Sequence, residues 1–380
     1  MKLIKLSPIN GNNSGDILIS YCVTNLLDEL DIEVDSFDIC FRSVGLYKNN
    51  KEQLKTTYRN KMSYFLQTKF PYVFYQIKKM MINYSGDVKK LSKLSGGYDG
   101  LIIGGGNLLM SNMGCDYAFR TLKYMQANNS MNSYILSCGA GPFQFEERRL
   151  IDGIVGSNCK ISLRDEVSKE YFTKYGSDSD ILVMPDPVFC LSDFVSNDAD
   201  SSLVKNKLGV NIISGYFKDP ELLLLANEIY KVLRKEKLDL KIINTAFPND
   251  EQVANKLAII IDSIDPNVVV QIVNVGGEAQ DVANVFADVK LFVGCRMHSI
   301  IFALSMSIPS LGFKWDEKVY GMFEQFYKNS EYQPEEYIVD KDSSNLLSRV
   351  ESIIHRDVGS SLIDTKERIR AGIKCLFLER

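Results

Sequence analysis

What most restricts the fold of this chain is the alternation, along most of its 380 residues, of short apolar runs with stretches of helical periodicity. A run that is apolar throughout makes a strand with no water-facing side, so helices must cover both faces of its sheet, and parallel pairing follows. Ten runs fit: LIKL, VDSFDIC, YDGLIIGGG, SYILSCGAG, KISLRD and DILVMPDP in the first half, and VNIISGYF, KIINTAF, VVVQIVN and VKLFVGC in the second. Between the halves, LSDFVSNDADSSLVKNKLG (191–209) breaks the rhythm with Ser, Asp and Asn. The sequence therefore predicts an α/β protein of two domains, 1–195 and 205–345, with a helical segment over 346–380 that either stands apart or returns to the first domain. Ligands of such sheets gather outside the carboxyl ends of the strands, and with a cleft between two domains the residues that follow each strand are the ones to inspect.

A formal net charge of -4 makes no overall polycation, so nucleic acid is not the default partner. The eight cysteines (Cys22, Cys40, Cys115, Cys138, Cys159, Cys190, Cys295, Cys375) lack any C-x-x-C pair or compact metal-ligand spacing, and they read as buried thiols of a reducing compartment. No run is long enough to cross a bilayer, and MKLIKLSPIN lacks the apolar stretch of a signal peptide. A cytoplasmic location is expected, with peripheral attachment to the inner membrane surface left open.

One segment departs from this pattern. Residues 42–93 carry twelve Lys or Arg against two acids, Glu52 and Asp87, and nine Tyr or Phe. Met62, Phe65, Leu66, Phe70, Val73, Phe74, Ile77 and Met81 recur at three- and four-residue spacing, with a break expected at Pro71. This predicts a basic amphipathic helical hairpin inserted in the first domain. Either its apolar stripe packs on that domain while its lysines are solvated, or it meets an anionic lipid or a lipid-diphosphate substrate.

Several strand ends carry residues suited to chemistry. NNSGDILIS (12–20) sets Asn13, Gly15 and Asp16 at a turn before a helix starting near Ile17. Glycine there lets backbone approach an anion, and Asp16 either caps the helix or meets a sugar hydroxyl; the pattern is also an ordinary turn and N-cap. LIIGGGNLLM sets Gly104, Gly105, Gly106 and Asn107 directly after an apolar strand, which suits either a ligand against the main chain or a tight turn, and fits neither a dinucleotide nor a P-loop fingerprint. SCGAGPF (137–143) is a second glycine loop, ISLRDEVS puts Arg164 and Asp165 at a strand end, and MPDPVF puts Asp186 before Pro187. Arg164 either forks onto a carboxylate or phosphate or pairs internally with Asp165.

VKLFVGCRMHSIIFALSMSIP reads as a buried strand, a turn at Gly294 and an apolar helix from near Ser299. Arg296 and His298, one of only two histidines, then fall in the turn at the positive end of that helix. An anion held there would meet a guanidinium, backbone amides and an imidazole together. Downstream, Lys314 and Lys318 flank Trp315, the single tryptophan, whereas His355 reads as a surface or packing residue.

Together NSGD, GGGNLL, SLRD, DP, GCRMHS and WDEK, spread from residue 13 to residue 318, resemble the polysaccharide pyruvyl transferase family. Its members carry an N-x-G-D turn, a G-G-G loop, S-x-R-D, a D-P dipeptide, and G-x-R-x-H-[ST] followed by Y-x-x-K. Trp315 stands where the family usually has tyrosine, and Ile17 where an acid is common. The resemblance implies a GT-B-like fold of two Rossmann-type domains whose parallel sheets face a central cleft. It implies transfer of a pyruvyl group from phosphoenolpyruvate to two hydroxyls of a sugar, giving a cyclic ketal, with no metal and no cofactor beyond that donor. Arg296, His298 and Lys318 are then the expected catalytic groups, with Arg164, Asn13, Gly15, Asp16, Gly104, Gly105, Gly106, Asn107 and Ser299 binding substrate. The expected partners are phosphoenolpyruvate and a sugar acceptor, either lipid-diphosphate-linked or a polymer precursor. Two rivals are a glycosyltransferase using a nucleotide sugar and a non-catalytic binding module of a polysaccharide assembly; the latter has no need of an acid beside paired cations.

Overall fold

Two six-stranded sheets, parallel throughout, absorb the apolar runs. The computed structural model describes residues 1–10, 13–42, 66, 69–110, 116–127, 132–142, 151–154, 159–175, 181–196 and 204–379. Unit 1 comprises 1–10, 26–184 and 372–380, and unit 2 comprises 11–25 and 185–371.

The sheet of unit 1 has the order β2-β1-β3-β4-β5-β6, with β1 Lys2–Ser7, β2 Glu33–Asp38, β3 Gly100–Leu109, β4 Asn132–Ala140, β5 Cys159–Leu163 and β6 Ile181–Val183. That of unit 2 has the order β12-β11-β10-β7-β8-β9, with β7 Lys207–Asn211, β8 Asp239–Asn244, β9 Val270–Asn274, β10 Val289–Gly294, β11 Ser310–Phe313 and β12 Ile338–Val339. The described helices are α1 Ser14–Asp28, α2 Pro71–Tyr84, α3 Asp87–Leu94, α4 Asp116–Ala127, α5 Glu166–Tyr175, α6 Asp219–Glu236, α7 Glu251–Ile264, α8 Ala279–Phe286, α9 Met297–Ser305, α10 Glu317–Phe326, α11 Leu346–Ile353 and α12 Gly359–Leu378. Strand order reverses between β1 and β3 in unit 1 and between β7 and β10 in unit 2, the switch points at which sheets of this kind hold ligands. Side chains such as Ile103, Ile135, Leu208 and Leu291 are fully buried. Each contributes about 1.5–3 kcal/mol of apolar burial.

The division between units falls at Met184/Pro185, ahead of the polar stretch 191–209. The reason is a 3₁₀ helix, Pro187–Asp193, whose Val188, Phe189, Cys190 and Leu191 are buried within unit 2. Residues 11–25 also count with unit 2, because the Ser14 amide donates to the Thr245 carbonyl at 3.2 Å and its hydroxyl to the Val275 carbonyl at 2.9 Å. The end of α12 belongs to unit 1, where Phe377 stacks on Tyr134 at 4.4 Å and the Lys160 ammonium donates to the Leu376 and Glu379 carbonyls. A cation suits the negative end of a helix.

Other expectations need correction. β11 and β12 lie outside the ten runs, being only four and two residues long. β7 is Lys207–Asn211, so most of the VNIISGYF run leaves the sheet. The GGG run is not a turn after β3. The strand continues to Leu109 and absorbs Gly105 and Gly106 as an irregularity, with φ of +86° and +79° and a register shift against β4 between Gly106 and Leu109. Only glycine adopts such angles at little cost.

Of the basic segment, 43–65, 67 and 68 lie outside the described residues. The break expected at Pro71 is present: Leu66 and Lys69 are helical, Phe70 is not, and Pro71 opens α2, where its missing N–H costs nothing. Of the expected apolar stripe Phe74 is buried and Leu66 half-buried, whereas Phe70, Val73, Ile77 and Met81 are exposed; Ile82, outside that stripe, is buried as well. Of the cysteines, Cys375 is exposed and Cys40 and Cys159 half-buried, so burial holds for Cys22, Cys138, Cys190 and Cys295 alone among those described. No described helix is long and apolar enough to cross a membrane.

Candidate functional site

The β7/β10 switch point of unit 2 carries the histidine motif. Gly294, the last residue of β10, lies in register with Asn211, the last of β7. Asn211 is fully buried and fixes the turn that follows. Its Nδ2 donates to the Ile243 carbonyl, its carbonyl accepts from the Cys295 amide and its Oδ1 accepts from the Arg296 amide, all at 2.8–2.9 Å. Burial pushes the Cys295 thiol well above its usual range, so it stays a neutral packing group. The helix starts earlier than expected, so Arg296 is the N-cap of α9 and His298 lies inside its first turn.

His298 is only 8% exposed, yet its setting is polar. Its Nε2 faces Oδ2 of Asp186 at 3.4 Å, and the Asp186 carboxylate is itself held by the Val188 amide at the start of the 3₁₀ helix. On the other edge the ring presses against α1. A Cβ on Gly15 would lie 2.2 Å from Nδ1 and 2.3 Å from Cγ of His298. Gly15 is thus required by close approach rather than by an unusual φ.

The N-S-G-D turn is closed locally. Asn13 Oδ1 accepts from the Gly15 amide at 3.1 Å, and Asn13 Nδ2 donates to Asp16 at 3.0 Å. With the Ser14 amide spent on Thr245, the first amides of α1 serve the fold rather than standing open to an anion.

Arg296 is one-quarter exposed and donates from Nε to Asp250 Oδ2 at 2.5 Å. Asp250 is buried and also accepts from the Ser214 amide. Among the described residues no hydrogen bond takes the terminal amino groups of Arg296, which leaves a fork fit for a carboxylate or phosphate. Ser299 is fully buried and its hydroxyl donates to the Arg296 carbonyl at 2.6 Å, so it braces the turn. Lys318 lies half-buried in the first turn of α10, where its amide donates to Asp316.

In unit 1, Arg164 is 3% exposed; its terminal amino group donates to Asn107 Oδ1 at 2.6 Å and its Nε lies 3.4 Å from Asp165. Asp165 in turn caps α5 through the Ser168 amide at 2.6 Å. Gly104 lies within the sheet, its carbonyl accepting from Ser7. The structure thus gathers Asn13, Gly15, Asp16, Arg296, His298, Ser299 and Lys318 in unit 2 and Arg164 and Gly104 to Asn107 in unit 1. Arg296 and His298 in unit 2, and Arg164 in unit 1, each face a buried carboxylate.

The family model of the polysaccharide pyruvyl transferases matches residues 13–317. The chain belongs to the polysaccharide pyruvyl transferase family. No curated protein sequence matches it. Among solved structures it is similar to the UDP-GlcNAc 2-epimerase of Methanocaldococcus jannaschii in complex with UDP-GlcNAc and UDP, at 10% identity over 98% of this chain and 99% of that one, with a TM-score of 0.54. It is similar to MnaA of S. aureus with UDP at 12%, 100%, 97% and 0.55. A glycosyltransferase from Rickettsia africae gives 11%, 99%, 93% and 0.53 in the same order. These likenesses carry the fold alone, which is GT-B-like with two parallel-sheet α/β units.

Within this transferase family the two departures have local explanations. The Trp315 indole N–H donates to the Cys295 carbonyl, so it anchors the turn that carries Arg296. Ile17 packs over Gly277, 3.1 Å from where a Cβ would stand. Asp250 and Asn211 were missed by motif reading. Each had a signal, since Asn211 interrupts an apolar run and Asp250 follows a strand in TAFPND.

Proposed function

We propose that this pyruvyl transferase family member moves a pyruvyl group from phosphoenolpyruvate to two hydroxyls of one sugar, closing a cyclic ketal in cell-surface polysaccharide biosynthesis. One observation supports it most: three family motifs far apart in sequence meet at a single imidazole, with Gly15 of N-S-G-D on one edge of His298 and Asp186 of D-P on the other. The reaction begins with a proton placed on the methylene carbon of phosphoenolpyruvate, which makes C2 electrophilic. One sugar hydroxyl bonds to C2 and gives up its proton, the C2–O bond to phosphate breaks, and the second hydroxyl bonds to C2. One of the two hydroxyl protons replaces the proton spent on carbon, and the other leaves with phosphate. No further cofactor takes part in this scheme.

His298 serves as the acid toward carbon. Asp186 orients the ring and favours hydrogen on Nε2, the nitrogen that its carboxylate faces. The free edge of Arg296 grips carboxylate or phosphate, aimed by Asp250, and Lys318 assists the departing phosphate. Arg164 acts indirectly, holding Asn107 and the irregular end of β3. The acceptor is a saccharide, lipid-linked or a polymer precursor, modified in the cytoplasm.

Incubation with phosphoenolpyruvate and free or lipid-linked β-galactosides should give one ketal, detected by mass spectrometry, for each phosphate released. A nucleotide-sugar reaction draws on likeness of fold alone; consumption of a nucleotide sugar with no ketal from any acceptor would favour it. Asp186→Asn is expected to lower kcat by on the order of 10²-fold with KM for phosphoenolpyruvate little changed, because the amide no longer selects one tautomer. A variant altered only in stability would contradict that role. Arg296→Lys keeps the charge but loses the fork, and kcat/KM should fall at least about tenfold, some 1.4 kcal/mol.

A further inference from the structure

Helix α2 carries more apolar side chains than its packing uses, and they continue from the buried face onto an exposed one. Phe74 and Ile82 point into unit 1, where Ile82 joins the core with Leu91 and Leu101. Beside that buried face Val73, Ile77, Met80, Met81 and Tyr84 form one stripe at helical spacing, 40% to 84% exposed. Phe70 extends it at the start of the helix, and Tyr72 is exposed beside it. Seven of the seventeen exposed large apolar side chains among the described residues fall between Phe70 and Tyr84, so this is a patch and not scatter.

Charge indicates what covers it. Residues 69–94 hold six lysines and a single acid, Asp87, in a chain of net charge -4. Asp87 is buried against Arg120 and Lys90, so it presents no anion at the surface. Lys69, Lys79, Lys89, Lys90 and Lys93 are exposed. An apolar stripe with aromatic residues at both ends and lysines around it suits the headgroup boundary of an anionic bilayer, where each basic residue adds attraction that salt screens.

We propose that α2, with the lysines of α3, docks this protein on anionic lipid bilayers, the helix lying in the plane of the interface. This holds whatever group the protein transfers. The test is flotation of the full chain with vesicles of phosphatidylcholine alone or with about one-third phosphatidylglycerol, a composition that presents anionic charge. Binding should appear on the anionic vesicles, weaken in high salt, and be at least about tenfold weaker on neutral ones. The triple variant Ile77→Ser, Met80→Ser, Met81→Ser should bind at least about tenfold more weakly with unchanged thermal unfolding. Leu223→Ser with Leu224→Ser, an exposed apolar pair on α6, should leave binding intact. Wild-type protein that fails to float with anionic vesicles overturns the proposal. So does binding that survives the triple variant, or a dimer in sedimentation velocity that the variant dissolves while vesicle binding is absent.

Discussion

Replacing His298 by alanine is expected to lower kcat for ketal formation by roughly 10²- to 10⁴-fold, the contribution of a positioned general acid. That range corresponds to about 2.7–5.4 kcal/mol of transition-state stabilisation. The expectation follows from where the ring sits. His298 has Asp186 3.4 Å from Nε2 and Gly15 against Nδ1, in the first turn of α9 at the strand-order switch of unit 2. Because the ring is nearly buried, alanine also leaves a gap, and lost activity alone would not separate chemistry from packing. His298→Gln does so: glutamine is comparable in length and can donate toward Asp186, but it delivers no proton to carbon near neutral pH. Circular dichroism and thermal unfolding should show the Gln variant folded, with kcat as low as that of the Ala variant. A Gln variant within about fivefold of the wild-type kcat would make the imidazole a packing group and remove general acid catalysis from the proposal.

The parallel sheets were legible because their strands are apolar throughout, and only a sheet covered on both faces tolerates that. β12 was not legible, since two residues carry no periodicity. Gly105 and Gly106 misled in an instructive way: they do mark positive φ, but the chain spends it on an irregularity inside β3 rather than on a turn after it. Arg296 and His298 were legible as a pair at a strand end. What the sequence could not show is the acid opposite each cation. Asp250 and Asp186 precede Arg296 by 46 residues and His298 by 112, and only the crossovers of the sheet bring them together. At Arg296 the buried Asp250 carboxylate takes Nε and leaves the terminal amino groups for a ligand, whereas the His298 ring has Asp186 on one edge and Gly15 on the other.

Gly15→Ala is expected to disable the enzyme although it adds one methyl group. By helix propensity the change should stabilise α1 by about 0.5–1 kcal/mol, since glycine is the costlier residue within a helix. Packing reverses the sign. The new methyl would lie 2.2 Å from Nδ1, 2.3 Å from Cγ and 2.8 Å from Cβ of His298. The overlap reaches the root of the side chain, so rotation of the ring does not relieve it, and Asp186 occupies the other edge. Nor can the start of α1 retreat freely, because Ser14 is bonded to the Thr245 and Val275 carbonyls. Overpacking of this kind costs about 1–3 kcal/mol, and displacement of a catalytic group by about an ångström costs roughly 10²-fold in rate. Gly15→Ala should therefore lower both kcat and the denaturation midpoint. In the double variant Gly15→Ala/His298→Ala the missing ring makes room for the methyl, so stability should recover to that of His298→Ala or above while activity stays lost. A Gly15→Ala protein more stable than wild type and fully active would show that the imidazole does not pack on this helix, and the convergence of three motifs on one ring would fail with it.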